Sequence, residues 1–298
     1  AAAARFLCRD ATARAAVGGA LMGGTQAHGE FTIQRHSAVG QPGAVALAAH
    51  GLNVQPRRMG PLIDLLTANG IEVVSIALHG HGSDRWQFVN DQRDECRAAR
   101  DVATERGMIY ISPDYRAKTS WMGPKAEADV VQIIGLLKER HRVGRVFICG
   151  ASMGGSACLT FAALHPGLVD GVASMNGTAN FLEYEEFPEG LVAIAESFGG
   201  TKKEIPLEYK RRSAEFFPER FASPSGVVPL AIAASGKDTL VPPGSVLRLA
   251  NMVKKIGGQV LLIYREETGH TTSYEDGRAI IEFVIGSGVP PHNSRKSS

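Results

Sequence analysis

Charge of a single dominant sign is missing from this chain. In 298 residues, 32 Lys and Arg stand against 30 Asp and Glu, a formal net charge of +2. With the two signs interspersed, no electrostatic footprint for nucleic acid exists. Long apolar runs are missing as well. None approaches the roughly 20 residues of a membrane helix, so no membrane span is expected. Cysteine is scarce: Cys8, Cys96, Cys149 and Cys158 show neither C-x-x-C spacing nor a paired framework. Reduced, buried thiols fit that usage, and a cytoplasmic location is the expectation. Residues 1–29 carry an alternative. Alanine and glycine dominate there, and Arg5, Arg9 and Arg14 precede or open an apolar patch at 15–22. The segment reads as an N-terminal helix or as a trimmed export signal, which would place the protein in the periplasm or outside the cell. Residues 290–298 read as a disordered tail.

A metal site also lacks its ligands. His50, His79 and His81 include an H-x-H pair, but no carboxylate or further histidine stands at useful spacing, so neither metal nor cofactor is expected.

Present instead is a 44% hydrophobic chain long enough for one large core. Between 30 and 289, apolar strand-like runs alternate with helical patterns, the signature of an α/β domain with a mostly parallel sheet. Strands are expected at 31–36, 44–49, 72–78, 108–112, the run into Gly150, 169–175, 228–234 and 259–264. Helices are expected at 61–68, 91–106 and 124–141, the last with Ala128, Val131, Ile134 and Leu137 near helical spacing. A helix or strand-like run closes the domain at 279–285. From about 177 to 226 the alternation stops, and Phe181, Tyr184, Phe187, Phe198, Tyr209, Phe216, Phe217 and Phe221 crowd one segment. A connection this long between two strands reads as a small helical cap over the sheet's carboxyl edge.

The most informative stretch is Arg145-Val146-Phe147-Ile148-Cys149-Gly150-Ala151-Ser152-Met153-Gly154-Gly155. An apolar strand runs into G-x-S-x-G and then into a small-residue helix start. Glycines on both sides let backbone pass close to a tight strand-to-helix turn that lifts the serine above the sheet edge. The helix N-terminus behind it favours developing negative charge. Ser152 is therefore the candidate nucleophile. A serine hydroxyl needs a base and an orienting acid, which in this topology follow in the order Ser, Asp or Glu, His. Asp238 falls at the end of the 228–234 strand, with Glu183, Glu185 and Glu186 as substitute acids. Gly269-His270 follows the 259–264 strand, and few histidines compete in that order.

These features resemble the α/β-hydrolase superfamily of serine hydrolases, from the first strands to about residue 285. Phe198-Gly199-Gly200-Thr201, Pro206, Tyr209, Arg211-Arg212-Ser213, Ser235-Gly236-Lys237-Asp238 and Val241-Pro242-Pro243 are similar to the catalytic domain of the prolyl oligopeptidase group and its esterase relatives. The resemblance implies Ser152 as nucleophile, His270 as base and Asp238 as orienting acid. The large propeller domain of true oligopeptidases does not fit in this length, which turns the expectation from oligopeptides towards small esters.

One oxyanion donor is expected from the amide of Met153. For the second there are two candidate turns, His50-Gly51-Leu52 and His79-Gly80-His81. Counting strands back from the elbow puts 72–78 beside it and favours His81, with Leu52 as the alternative. Trp86, Trp121, Phe181 and Tyr184 are candidates for substrate contact. The expected activity is that of a carboxylesterase on small to medium esters through an acyl-enzyme. A small peptidase or amidase is the alternative within enzymes, and a non-catalytic ligand-binding protein on the same fold is the alternative outside them.

Overall fold

A computed structural model describes residues 31–36, 44–49, 73–106, 108–140, 142–222 and 228–286. The expectations for 1–29, 61–68, His50-Gly51-Leu52 and 290–298 lie outside the described residues. Eight strands form one sheet: β1 (Phe31–His36), β2 (Ala44–Ala49), β3 (Val73–Leu78), β4 (Ile109–Pro113), β5 (Arg145–Ala151), β6 (Gly171–Met175), β7 (Leu230–Ser235) and β8 (Val260–Arg265). Their order is β1-β2-β4-β3-β5-β6-β7-β8. Among the described residues only β1 runs antiparallel to its neighbour, and the other pairs are parallel. This is the α/β-hydrolase arrangement, with β5 at the centre.

Helices cover both faces, as parallel strands require. In chain order they are α1 (Gln87–Asn90), α2 (Asp94–Glu105), α3 (Pro124–Arg140), α4 (Met153–Leu164), α5 (Pro188–Phe198), α6 (Pro206–Arg212), α7 (Gly244–Lys255) and α8 (Tyr274–Gly286). The strand pleat divides the apolar residues into two layers. Val74, Ile76, Leu78, Val146 and Ile148 face α3 and α4, while Ala77, Phe147 and Cys149 face α2 and α8. The run at 279–285 is thus helical, because Ile280, Ile281 and Val284 recur at helical spacing against α2. On α3 the core stripe is Ala126, Val130, Ile133, Ile134 and Leu137. Of the four residues at helical spacing, Ile134 and Leu137 belong to it, whereas Ala128 is exposed and Val131 half-buried, so the buried face is centred about a quarter-turn from their mean direction.

Residues 177–222 carry α5, α6 and two short 3-10 turns at Ala214–Phe216 and Pro218–Phe221. Phe181, Tyr184, Phe198, Tyr209 and Phe221 are buried in the same core layer as the sheet. The segment is therefore anchored by its aromatics to the face that carries α3 and α4. Phe216 remains exposed.

Candidate active site

The turn from β5 into α4 is set by close backbone packing. Ser152 has φ 58° and ψ −122°, a conformation that costs a non-glycine residue about 1–3 kcal/mol. It persists because the neighbours leave no alternative. A Cβ on Gly154 would stand 1.9 Å from the Leu78 carbonyl oxygen, and one on Gly150 would stand 2.5 Å from the Gly154 backbone. The Ser152 amide donates to Met175 O on β6 at 2.8 Å, fixing the elbow to the next strand.

Three sequence-predicted residues meet in one hydrogen-bonded line. His270 Nε2 lies 2.9 Å from Ser152 Oγ, and His270 Nδ1 lies 2.6 Å from Asp238 Oδ2. They come from the ends of β5, β7 and β8, where the carboxyl edge of a parallel sheet collects functional loops. Asp238 is buried, and its other oxygen accepts the amides of Leu240 (3.0 Å) and Val241 (2.8 Å). A carboxylate facing Nδ1 holds the ring proton there, so the neutral imidazole offers Nε2 as the acceptor for the serine hydroxyl. The substitute acids lie elsewhere: Glu183 pairs with Arg248, and Glu185 with Lys202.

Asn176, which sequence reasoning did not single out, adjoins this line. Its Nδ2 donates to Asp238 Oδ2 at 3.3 Å and to Ser235 Oγ at 2.9 Å. No motif marks it; the one available signal was its place at the carboxyl end of the strand after the elbow.

The His79-Gly80-His81 turn follows β3, which pairs directly with β5 in the register Leu78 to Gly150. Its other polar groups are engaged. Gly80 N–H donates to Gln87 Oε1 (2.7 Å), and Tyr115 Oη donates to His79 O (2.6 Å). The His79 ring nitrogens lie 2.9 Å from Gly80 O and 3.1 Å from Asp114 O, and burial lowers its pKa against these two hydrogen bonds. Trp121 Nε1 donates to His81 Nδ1 at 3.0 Å, which leaves the proton of a neutral His81 on Nε2. Burial lowers the His81 pKa too, opposed by the nearby Glu189 charge. Among the described residues, the main-chain amides of His81 and Met153 are bound to no other protein group.

Trp121, Phe181 and Tyr184 come together as a buried aromatic group. Trp121 meets Phe181 edge-on at 6.2 Å and Tyr184 at 5.8 Å, and His81 meets Phe187 edge-on at 4.9 Å. The Trp121 amide points at Met153 Sδ, 3.4 Å away, next to the serine. Trp86 lies apart, half-buried at the start of α1 with the Arg85 guanidinium over its ring. In the loop after β4, Arg116 pairs with Asp129 and Lys118 with Asp84. No helix among the described residues is long and apolar enough to cross a membrane.

Comparison with known proteins agrees with this architecture. The prolyl oligopeptidase family matches residues 95–284, more than half of the chain. Among solved structures, the dipeptidyl peptidase 4 of Porphyromonas gingivalis is similar at 15% identity and a TM-score of 0.56, over 88% of this chain and 35% of that one. A fluorophosphonate-binding serine hydrolase F of Staphylococcus aureus is similar at 16% identity and a TM-score of 0.51, over 72% of this chain and 84% of that one. Est1E from Butyrivibrio proteoclasticus is similar at 13% identity and a TM-score of 0.51, over 72% and 89%. The chain spans about a third of the length of the dipeptidyl peptidase structures it matches. No curated protein matches it.

Proposed function

Given that the chain belongs to the prolyl oligopeptidase family of serine hydrolases, we propose that it cleaves small to medium carboxylic esters through an acyl-enzyme at Ser152. The observation that carries this reading is the unbroken line from Ser152 Oγ through His270 to Asp238, at 2.9 and 2.6 Å. In the proposed reaction Ser152 Oγ attacks the ester carbonyl while His270 Nε2 takes its proton. Asp238 keeps the imidazole in the required tautomer and stabilises the imidazolium. His270 then protonates the departing alcohol, and water attacks the acyl-enzyme by the same route in reverse.

The developing oxyanion is assigned to the amides of Met153 and His81. That neither amide has a protein partner among the described residues supports this, together with the place of β3 beside β5. The alternative at Leu52 follows β2, which β4 and β3 separate from β5. At about 4.8 Å per strand, β2 itself stands roughly 14 Å from the serine strand. Replacing residue 81 by proline removes the amide and is expected to lower turnover about 10²- to 10³-fold. The same change at 52 should leave it nearly intact.

An uncharged acyl group is favoured because the half-buried Phe187 ring packs edge-on against His81, whose pKa burial lowers, over the buried group of Trp121, Phe181 and Tyr184. The family itself favours a second reading, hydrolysis of peptides or aminoacyl amides, which needs the same three residues. Fluorophosphonate labelling tests the common part. A folded protein that takes no label, or equal labelling of Ser152→Ala, would overturn the hydrolase assignment for this site. A panel of p-nitrophenyl esters of rising chain length, run beside aminoacyl anilides, separates the two readings. Faster turnover of anilides than of esters would replace the ester by the amide.

A further inference from the structure

Asn176 follows β6, the strand beside the elbow strand, and has a left-handed backbone at φ 47°. It is 6% exposed, and every polar atom of its side chain is engaged. Nδ2 donates to Ser235 Oγ and Asp238 Oδ2, and Oδ1 accepts the Thr272 hydroxyl at 2.5 Å. Its main-chain amide donates to Ala233 O at 2.9 Å. These partners lie on β7, on the loop after it that presents Asp238, and on the loop that presents His270.

Those loops need an anchor. His270 follows β8, an edge strand with a single neighbour whose last residues, Tyr264 and Arg265, are exposed. No helix or strand spans the residues between Arg265 and Tyr274. The acid and base loops are tied to each other: Gly236 N–H donates to Arg265 O (2.8 Å) and Lys237 N–H to Thr268 O (2.9 Å). Ser235 Oγ likewise donates to Thr271 O at 3.0 Å. None of these bonds reaches the strand that carries the serine. Asn176 does so in one step, because the Ser152 amide is held by Met175 O, the carbonyl of the preceding residue.

We propose that Asn176 is the positioning residue of the acid and base: its carboxamide locks Asp238 and the His270 loop to the strand that also anchors Ser152. The proposal rests on the reading of Ser152, His270 and Asp238 given above. Placement matters because an error of about 1 Å in a reacting group costs on the order of 10²-fold in rate. The carboxamide also supplies Asp238 Oδ2 with a second donor beside His270 Nδ1, which fixes the plane of the carboxylate relative to the ring.

Asparagine tolerates left-handed backbone, so a plain turn residue would look similar from its dihedral alone. Asn176→Gly separates the two roles, since glycine accepts that φ and lacks the carboxamide. The expected result is a fall in kcat of about 10- to 100-fold on a p-nitrophenyl ester, with KM changed by less than about twofold. The fluorophosphonate labelling rate should fall by a similar factor, and the low-field proton resonance of the His270 Nδ1–H should move or broaden. Thr272→Val, which removes the hydroxyl and keeps the shape, should give a smaller fall in kcat of about three- to tenfold. It serves as the deciding variant should Asn176→Gly fail to fold. A folded Asn176→Gly with wild-type kcat and resonance would overturn the proposal, as would an unchanged Thr272→Val where only that variant folds. Wild-type protein that takes no label would instead overturn the reading of Ser152 itself.

Discussion

Two stretches of left-handed backbone meet beside the candidate nucleophile, and they are stabilised in opposite ways. At the elbow, Ser152 is held at φ 58° by glycines that let backbone touch backbone, all within a few residues or on adjacent strands. In the loop after β4, Tyr115, Arg116, Trp121 and Met122 have φ of 29°, 85°, 43° and 59°, with no glycine among them. Distant side chains hold that loop. Tyr115 reaches His79 O, Trp121 reaches His81 and Met153, and the buried Arg212 donates to Met122 O at 2.6 Å. The elbow places the serine, whereas the loop places Trp121 in the buried aromatic group and steadies the turn after β3. Local packing forms the first, and ties to the turn after β3, to Met153 and to Arg212 of the 177–222 segment hold the second.

The largest expected effect breaks the elbow's side of this pair. Ser152→Ala should lower ester turnover by about 10⁴- to 10⁶-fold while leaving the fold intact. Turnover on a p-nitrophenyl ester and circular dichroism of the same sample check it. A residual rate within about tenfold of wild type would move the chemistry to another residue.

Breaking the loop's anchor comes next, and it should act on stability first. Arg212 also donates to Glu208 Oε1 (2.6 Å) and Glu127 Oε2 (2.8 Å) from a fully buried position. Burial alone would raise the Glu127 pKa, but Arg212, with help from His165 and Arg211, holds it below the usual carboxylate range. Arg212→Met strips one buried carboxylate of its main partner. It should cost about 3 kcal/mol in urea unfolding, the low end for a broken buried pair, because Arg211 and His165 still face Glu127. Met122 loses its tie in the same step, so kcat/KM of the folded fraction should fall as well.

A matched glycine pair sharpens the comparison at smaller scale. A Cβ on Gly154 meets Leu78 O at 1.9 Å, and one on Gly123 meets the Ser197 hydroxyl at 2.1 Å and its carbonyl oxygen at 2.3 Å. Each Gly→Ala change should cost about 1–3 kcal/mol of overpacking. Gly154→Ala should slow Ser152 labelling, whereas Gly123→Ala should raise KM by displacing the start of α3 from α5. Equal effects of both on labelling would mean that the two stretches act as one unit.

The elbow was legible in the sequence because its cause is local: a strand, a G-x-S-x-G turn and a helix are contiguous. Strand ends then pointed to Asp238 and His270, and the structure places both on the serine's hydrogen-bonded line. The loop after β4 was not legible, because its partners lie 32 to 90 residues away and no glycine marks its positive φ angles. Asn176 was hidden for the same reason, its side-chain partners being 59 to 96 residues off. On α3 the spacing of Ala128, Val131, Ile134 and Leu137 marks the helix, and Ile134 and Leu137 lie in its core face, while alanine and valine on both flanks leave the centre of that face unmarked. Of the candidates for substrate contact, Trp121, Phe181 and Tyr184 come together as a buried group, while Trp86 packs under Arg85.

The smallest expected effect is a pH dependence that belongs to the turn between the two stretches. His79 and His81 both have lowered pKa values, in each case chiefly because burial penalises the charged ring. In the unfolded chain they bind protons at the ordinary histidine value, roughly 6.5. Between that value and the lower folded one, the unfolded state carries more protons, so stability rises with pH. Their contribution is complete above the ordinary value and declines as pH falls towards the folded one. Protonating His81 also turns Nδ1 into a donor facing the Trp121 N–H, which breaks that bond and releases the loop from the turn. Urea midpoints measured across this window should fall on acidification, and His81→Gln should flatten part of the slope. His79, being the more deeply buried, should carry the larger share. A slope unchanged in His81→Gln but lost in His79→Gln would assign the whole dependence to the Tyr115 side of the turn, leaving the Trp121 contact without a role in it.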